Sequence, residues 1–131
     1  MVRKGTPVNI LIVDDEPKRH KIFLKRLSAG NNVVVVNSYY GAVREIERNR
    51  KFDLVSLDYD LDQFVDSQIE AGPWGKYQSG LDVAKYIASL SPAKKPSKAI
   101  VHSLNASRAP IMVAELEDAG IKTEYLPFQY E

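Results

Sequence analysis

The sequence contains no cysteine. That excludes disulfides, thiolate zinc sites and cysteine nucleophiles together. It also has almost no net charge: 18 basic against 17 acidic residues leave +1. Such a balance argues for neither a nucleic-acid nor a membrane surface. Long apolar runs are missing as well, since the longest are strand-sized and far short of a membrane span. The basic start, Met1 to Pro7, precedes only a short run containing Asn9, too short for a secretory leader. The expectation is a cytoplasmic protein with no membrane partner. There is one tryptophan, Trp74, and no internal repeat. What is present is ordinary: 131 residues, 44% hydrophobic and 27% charged. That suits a single domain over residues 1–131 with one core.

Two stretches organise the chain. Phe52-Asp53-Leu54-Val55-Ser56-Leu57-Asp58 is a short, mostly apolar run that ends on a carboxylate. It suits a strand buried on both faces, as in the middle of a parallel sheet. Val8-Asn9-Ile10-Leu11-Ile12-Val13 is of the same kind and ends on Asp14-Asp15-Glu16. In open α/β sheets the carboxyl edge of the strands is where ligands bind. Neighbouring strands ending this way gather several carboxylates in one crevice. Like charges at that density need a cation, so the pattern predicts a metal site.

Pro17 opens a helix whose stripe is His20, Phe23, Leu24 and Leu27, closed at Gly30. Val33 to Val36 is β-branched throughout and reads as a strand. Ser38 caps a helix striped by Tyr39, Ala42, Val43 and Ile46, which Asn49-Arg50-Lys51 closes. From Tyr59 to Gln78 no period holds, and a connection of this length tends to be a lid or a mobile insertion. Trp74 within it reads as an apolar anchor. Ser79-Gly80-Leu81-Asp82 has capping-box form and starts a helix to about Leu90. A proline-marked loop precedes a strand at Lys98 to Ser103, a helix from Pro110 to about Ala119 and a last strand from Ile121 to Leu126. This alternation means a parallel sheet with right-handed crossovers and helices on both faces. The two acid-ended strands belong side by side at the switch point, which gives strand order 2-1-3-4-5.

Ile10 to Pro17, followed by Phe52 to Asp58 with Asp58 forty-three residues after Asp15, resembles the receiver domain of response regulators. Ser79 to Ala84 resembles the start of that family's third helix. The resemblance implies a three-layer flavodoxin-like, CheY-like α/β fold, a parallel five-stranded sheet here lacking the last helix. It implies that Asp14, Asp15, Asp58 and the backbone carbonyl of Asp60 hold Mg²⁺ (or Mn²⁺). It makes Asp58 the phosphate-accepting nucleophile and Ser103 the hydroxyl that bonds the phosphoryl group. The implied partner is a histidine kinase or another phosphodonor. The chemistry is consistent with this, because phosphoryl transfer needs mostly positioning and charge neutralisation.

The sequence departs from that pattern in several places. Leu126 stands where receivers carry a lysine, so Arg108 from the loop after the fourth strand has to supply the phosphate-binding cation. Leu104 is bulky where the family has a tiny residue. The fifth helix is missing, so the tail Phe128-Gln129-Tyr130-Glu131 or a second subunit is expected to cover the strand-five side. The cyclic-phosphate-processing receiver-like domains, with a Leu-Asp-x-Asp-Leu strand end and a His-Ser-x-Asn motif, account for several departures together. Here these are Leu57-Asp58-Tyr59-Asp60-Leu61 and His102-Ser103-Leu104-Asn105. That likeness implies that His102 and Asn105 join the acidic pocket, and that a small cyclic phosphate or an RNA end is the substrate of a metal-assisted hydrolysis. His102 would serve as a general acid. Three expectations follow: a receiver phosphorylated on Asp58, a metal-dependent phosphoesterase, or a receiver-shaped binding module without chemistry. The acid set and Ser103 favour the first.

Overall fold

The computed structural model describes residues 7–48, 51–61 and 78–130. Among the described residues, five strands alternate with four α-helices: β1 (Asn9–Val13), α1 (Pro17–Leu27), β2 (Asn32–Val36), α2 (Tyr39–Glu47), β3 (Leu54–Leu57), α3 (Gly80–Ala88), β4 (Lys98–Val101), α4 (Ala109–Asp118) and β5 (Lys122–Tyr125). A short 3₁₀ turn at Pro92–Lys94 precedes β4. The sheet is parallel throughout, in the expected order β2-β1-β3-β4-β5. This is the flavodoxin-like, CheY-like fold. The expected loop 59–78 falls largely on residues 62–77, which with Trp74 lie outside the described residues, as do Asn49, Arg50 and Glu131.

Local chemistry sets the element ends. Glu16 caps α1 by accepting from the Lys18 amide, with Pro17 in the first turn and Lys25 and Arg26 in the last. Ser38 Oγ accepts from Gly41 N at 3.0 Å and starts α2. The capping box forms at α3: Leu81 N donates to Ser79 Oγ at 3.1 Å, and Ser79 N to Asp82 Oδ2 at 2.8 Å. Gly120, at φ +84°, ends α4 in the left-handed region that favours glycine.

The two faces of the sheet are covered unequally. On one, Leu11, Val13, Val55, Leu57, Ala99 and Val101 pack against Ala42 and Ile46 of α2, Val83, Ala84 and Ile87 of α3, and Met112 and Leu116 of α4. On the other, Ile10 and Ile12 cluster with Phe23 of α1 and Phe128 of the tail, and the half-buried Ile22 and Leu27 of α1 pack against them. Phe128 is buried against Phe23, with ring centroids 5.0 Å apart, and its amide donates to His102 O at 2.9 Å. The tail thus lies on the thinly covered face, beside a groove of about 410 Å³ lined by Leu54, Ser56, Ile100, Leu126 and Pro127 among others. Leu24 of the expected α1 stripe is exposed, and Phe23 alone of that stripe is buried, with Leu27 partly so.

Candidate functional site

The register builds the site. Val13 lies opposite Leu57, and Leu57 opposite Val101. The next residue on each strand is Asp14, Asp58 and His102. Their peptides continue the ladder: Asp58 N donates to Val13 O and His102 N to Leu57 O, both at 2.9 Å. One row at the carboxyl edge therefore carries two acids and an imidazole. Asp15 follows Asp14 directly. Asp14, Asp15 and Asp58 are all buried, and each offers a carboxylate oxygen within 4.8 Å of the others. Gly80 permits this closeness at the start of α3. A Cβ there would stand 1.8 Å from Asp58 O and 2.7 Å from Tyr59 Cα, while Gly80 N donates to Tyr59 O at 2.7 Å.

Asp14 is heavily bonded, accepting from four donors. Its Oδ1 accepts from Glu16 N at 2.8 Å and Arg19 Nη2 at 3.0 Å. Its Oδ2 accepts from Arg19 Nε at 2.7 Å and His102 Nε2 at 2.8 Å. Burial works against its charge, but the bonds from His102 and Arg19 outweigh that and hold its carboxyl down at about 2. Asp58 goes the other way. Burial and then the charge of Asp14 push its carboxyl up to about 6, against the pull of His102, Arg19 and the Ser103 hydroxyl. Two acids one strand apart are thus driven apart in acidity, and Asp58 is the one left short of positive charge.

His102 is 3% exposed and uses both ring nitrogens. An ionised carboxylate only accepts, so Nε2 donates to Asp14, and Nδ1 faces Ser56 Oγ at 2.7 Å. Phe23 packs on its ring at 4.9 Å. The sequence-predicted general acid is therefore placed as a support for Asp14. Ser103 is wholly buried; its Oγ accepts from Asn105 N at 3.0 Å, and its carbonyl accepts from Tyr125 Oη at 3.0 Å. Asn105 turns to its own loop: its Oδ1 accepts from Ser107 Oγ at 2.9 Å and Arg108 N at 3.2 Å. Arg108 is exposed, with its guanidinium 5.8 Å from the Tyr59 ring centre. Asp60 is on the exposed turn two residues beyond Asp58. Leu104 points to solvent, 55% exposed, and does not crowd the pocket.

Two residues escaped the sequence reading. Arg19 bridges Asp14 and Asp58, with Nη2 also 3.2 Å from Asp58 Oδ2. No local pattern signals this role: both acids precede or lie outside α1, and the bridge depends on how α1 sits against β3. His20, read as part of the helix stripe, donates from Nε2 to the Asp14 carbonyl.

The family model of the cyclic-phosphate processing Receiver domain matches residues 9–118. The chain belongs to this family. A search of the curated proteins gives no match. Among solved structures, the chain is similar to a CheY-like response regulator receiver domain from Methylobacillus flagellatus, at 21% identity and TM-score 0.67, covering 96% of this chain and 90% of that one. The receiver domain of a sensor histidine kinase from Pseudomonas aeruginosa, solved with magnesium coordinated in its active-site cleft, matches at 21% identity and TM-score 0.67 over 96% and 88% of the two chains. The response regulator TrrA from Thermotoga maritima, in complex with Mg²⁺ and beryllofluoride, matches at 22% and 0.65 over 95% and 89%. At these identities the likeness to solved structures speaks for the fold alone. Among the described residues, no helix is long and apolar enough to cross a membrane.

Proposed function

We propose that this cyclic-phosphate processing receiver domain binds a divalent cation, Mg²⁺ or Mn²⁺, through Asp14, Asp15 and Asp58, and processes a phosphoryl group held against Asp58. The observation that carries the reading is the buried triad of carboxylates with oxygens within 4.8 Å of one another. The donor set fits the ion. Hard oxygen ligands of one to three carboxylates suit Mg²⁺, with waters and phosphate oxygens completing the shell. Burial and then the charge of Asp14 raise the Asp58 carboxyl, and a bound divalent ion would offset both. When bound, the ion supplies charge neutralisation and polarises the phosphoryl oxygens.

The family's name points to a cyclic phosphate ester as substrate. Processing then means ring opening by water: one P–O ester bond breaks, the water oxygen takes its place on phosphorus, and a phosphomonoester with a free hydroxyl results. In this reading the chain's residues divide the work. Asp14 and Asp15 anchor the cation, His102 holds Asp14 ionised and oriented, and Ser103 lies behind Asp58 as a hydroxyl donor to phosphoryl oxygens. The second reading is phosphorylation of Asp58 by a kinase or small phosphodonor. The intact acid set and Ser103 favour it, and Leu126 in place of the lysine weighs against it.

The test uses one preparation and two substrates. With Mg²⁺ and a 2′,3′-cyclic nucleotide, ³¹P NMR should show the cyclic resonance replaced by a monoester, and Asp58→Asn should abolish the change. With acetyl phosphate, one added phosphoryl mass on Asp58 without turnover of the cyclic substrate would favour the receiver reading. Neither signal would leave a domain that works by protein contacts, including contact with a second copy.

A further inference from the structure

We propose that Arg19 is the positively charged side chain that binds the phosphoryl group, and that it occupies the cation's oxygens until a cation displaces it. The inference rests on the reading that Asp14, Asp15 and Asp58 hold a divalent ion.

The lone pairs of Asp14 make the case. A carboxylate has about four acceptor sites, and Asp14 uses four: Glu16 N and Arg19 Nη2 on Oδ1, Arg19 Nε and His102 Nε2 on Oδ2. A metal ion cannot join Asp14 unless a donor leaves. The Glu16 amide is fixed by the cap of α1. The His102 ring is buried, packed on Phe23 and held at Nδ1 by Ser56. Arg19 is the movable donor: its side chain is long and flexible, rooted on α1, and at 14% exposed the least enclosed of the side chains on Asp14.

Its release leaves it in a useful place. Nη2 already reaches Asp58 Oδ2 at 3.2 Å, and Nη1 donates to Tyr130 Oη at 3.0 Å, which tethers the head at the mouth. A phosphoryl group against Asp58 presents its oxygens there, and a guanidinium fork matches phosphate geometry. The charges also balance. Three carboxylates, one guanidinium and one divalent ion are neutral together, so the anion enters a site without net repulsion. The described alternatives are engaged elsewhere: Arg108 is exposed over Tyr59, and His102 has both nitrogens bonded.

The experiment titrates the full chain by calorimetry, first with Mg²⁺ alone and then with beryllofluoride at saturating Mg²⁺. Arg19→Gln should bind Mg²⁺ several-fold more tightly, because its competitor is gone. The same variant should bind beryllofluoride about ten-fold or more weakly, the loss expected of a charged hydrogen-bonding partner. Arg19→Lys keeps the charge without the fork and should fall between the two, and it keeps the test alive if the glutamine variant folds poorly. In the wild type, the ¹⁵N resonance of Arg19 Nε should shift on adding Mg²⁺. Opposite changes in the two affinities support the inference. Parallel weakening of both, unchanged beryllofluoride affinity, or an Arg19 resonance unmoved by saturating Mg²⁺ overturns it for Arg19 alone. A wild-type protein that binds no Mg²⁺ overturns the cation reading and this inference with it.

Discussion

Strand β3 is bracketed by two aspartates, Asp53 before it and Asp58 after it. Asp53 is half-buried and knits strands together. Its Oδ2 accepts from Asn9 N at 2.8 Å, and its carbonyl accepts from Ser97 N and Lys98 N at 3.1 Å. Asp58 is 4% exposed, faces a second carboxylate and is pushed up to about 6. The same residue type serves the fold at one end of the strand and strains against it at the other. Buried charge without enough partners costs stability, and such costs cluster at functional sites. The difference teaches that the carboxyl edge is arranged for a ligand, while the amino edge is arranged for itself.

The sharpest way to break that comparison is to neutralise each acid in turn. Asp58→Asn should abolish phosphoryl chemistry and still stabilise the metal-free protein at pH 7, by about 1–3 kcal/mol. Asp53→Ala should leave the chemistry in place and destabilise by about 1–2 kcal/mol. Urea denaturation beside the ³¹P assay reads both, and destabilisation by Asp58→Asn would remove the contrast.

Gly80→Ala comes next, because its Cβ would stand 1.8 Å from Asp58 O. Overpacking against backbone should cost about 3 kcal/mol or more and disturb cation binding as well. A variant with unchanged stability and Mg²⁺ affinity would show that α3 gives way easily. His102→Ala removes the buried donor to Asp14 Oδ2 and should cost about 2–4 kcal/mol. The Asp14 carboxyl should also rise from about 2, which ¹³C NMR can follow.

The smallest effect is with pH. A carboxyl raised in the folded state holds its proton more tightly than in the unfolded chain, so between about 4 and 6 Asp58 makes the metal-free protein more stable as pH falls. Asp14, held at about 2, contributes stability above 3.8 that is lost only as pH drops through that lower range. The cation must displace the Asp58 proton, so Mg²⁺ affinity should fall about ten-fold for each pH unit below 6 and level off above 7. Calorimetry across pH 5–8 checks this, and a flat profile would place the ion away from Asp58.

The strands and the acids were legible because both depend on local pattern. Apolar runs ending in Asp14 and Asp58 define where the chain leaves the sheet, and the strand order follows from pairing those ends. Arg19 was hidden because its role depends on the relation of α1 to β3, which no local period records. Asn105 was drawn to the pocket by its motif, but its carboxamide spends its acceptor on the turn that leads into α4. Leu104 looked obstructive only while its direction was unknown. The fate of Phe128 depended on how much of the α1 face remained open, a tertiary quantity.

The register that sets Asp14, Asp58 and His102 in one row has a bearing on which ions are accepted. Two of the three acids ride on adjacent hydrogen-bonded strands, whose separation is about 4.8 Å in any sheet. Loop motion cannot widen or narrow that gauge. Discrimination between a small cation and a larger one therefore falls to water molecules and side-chain torsions fitted inside a frame of constant width.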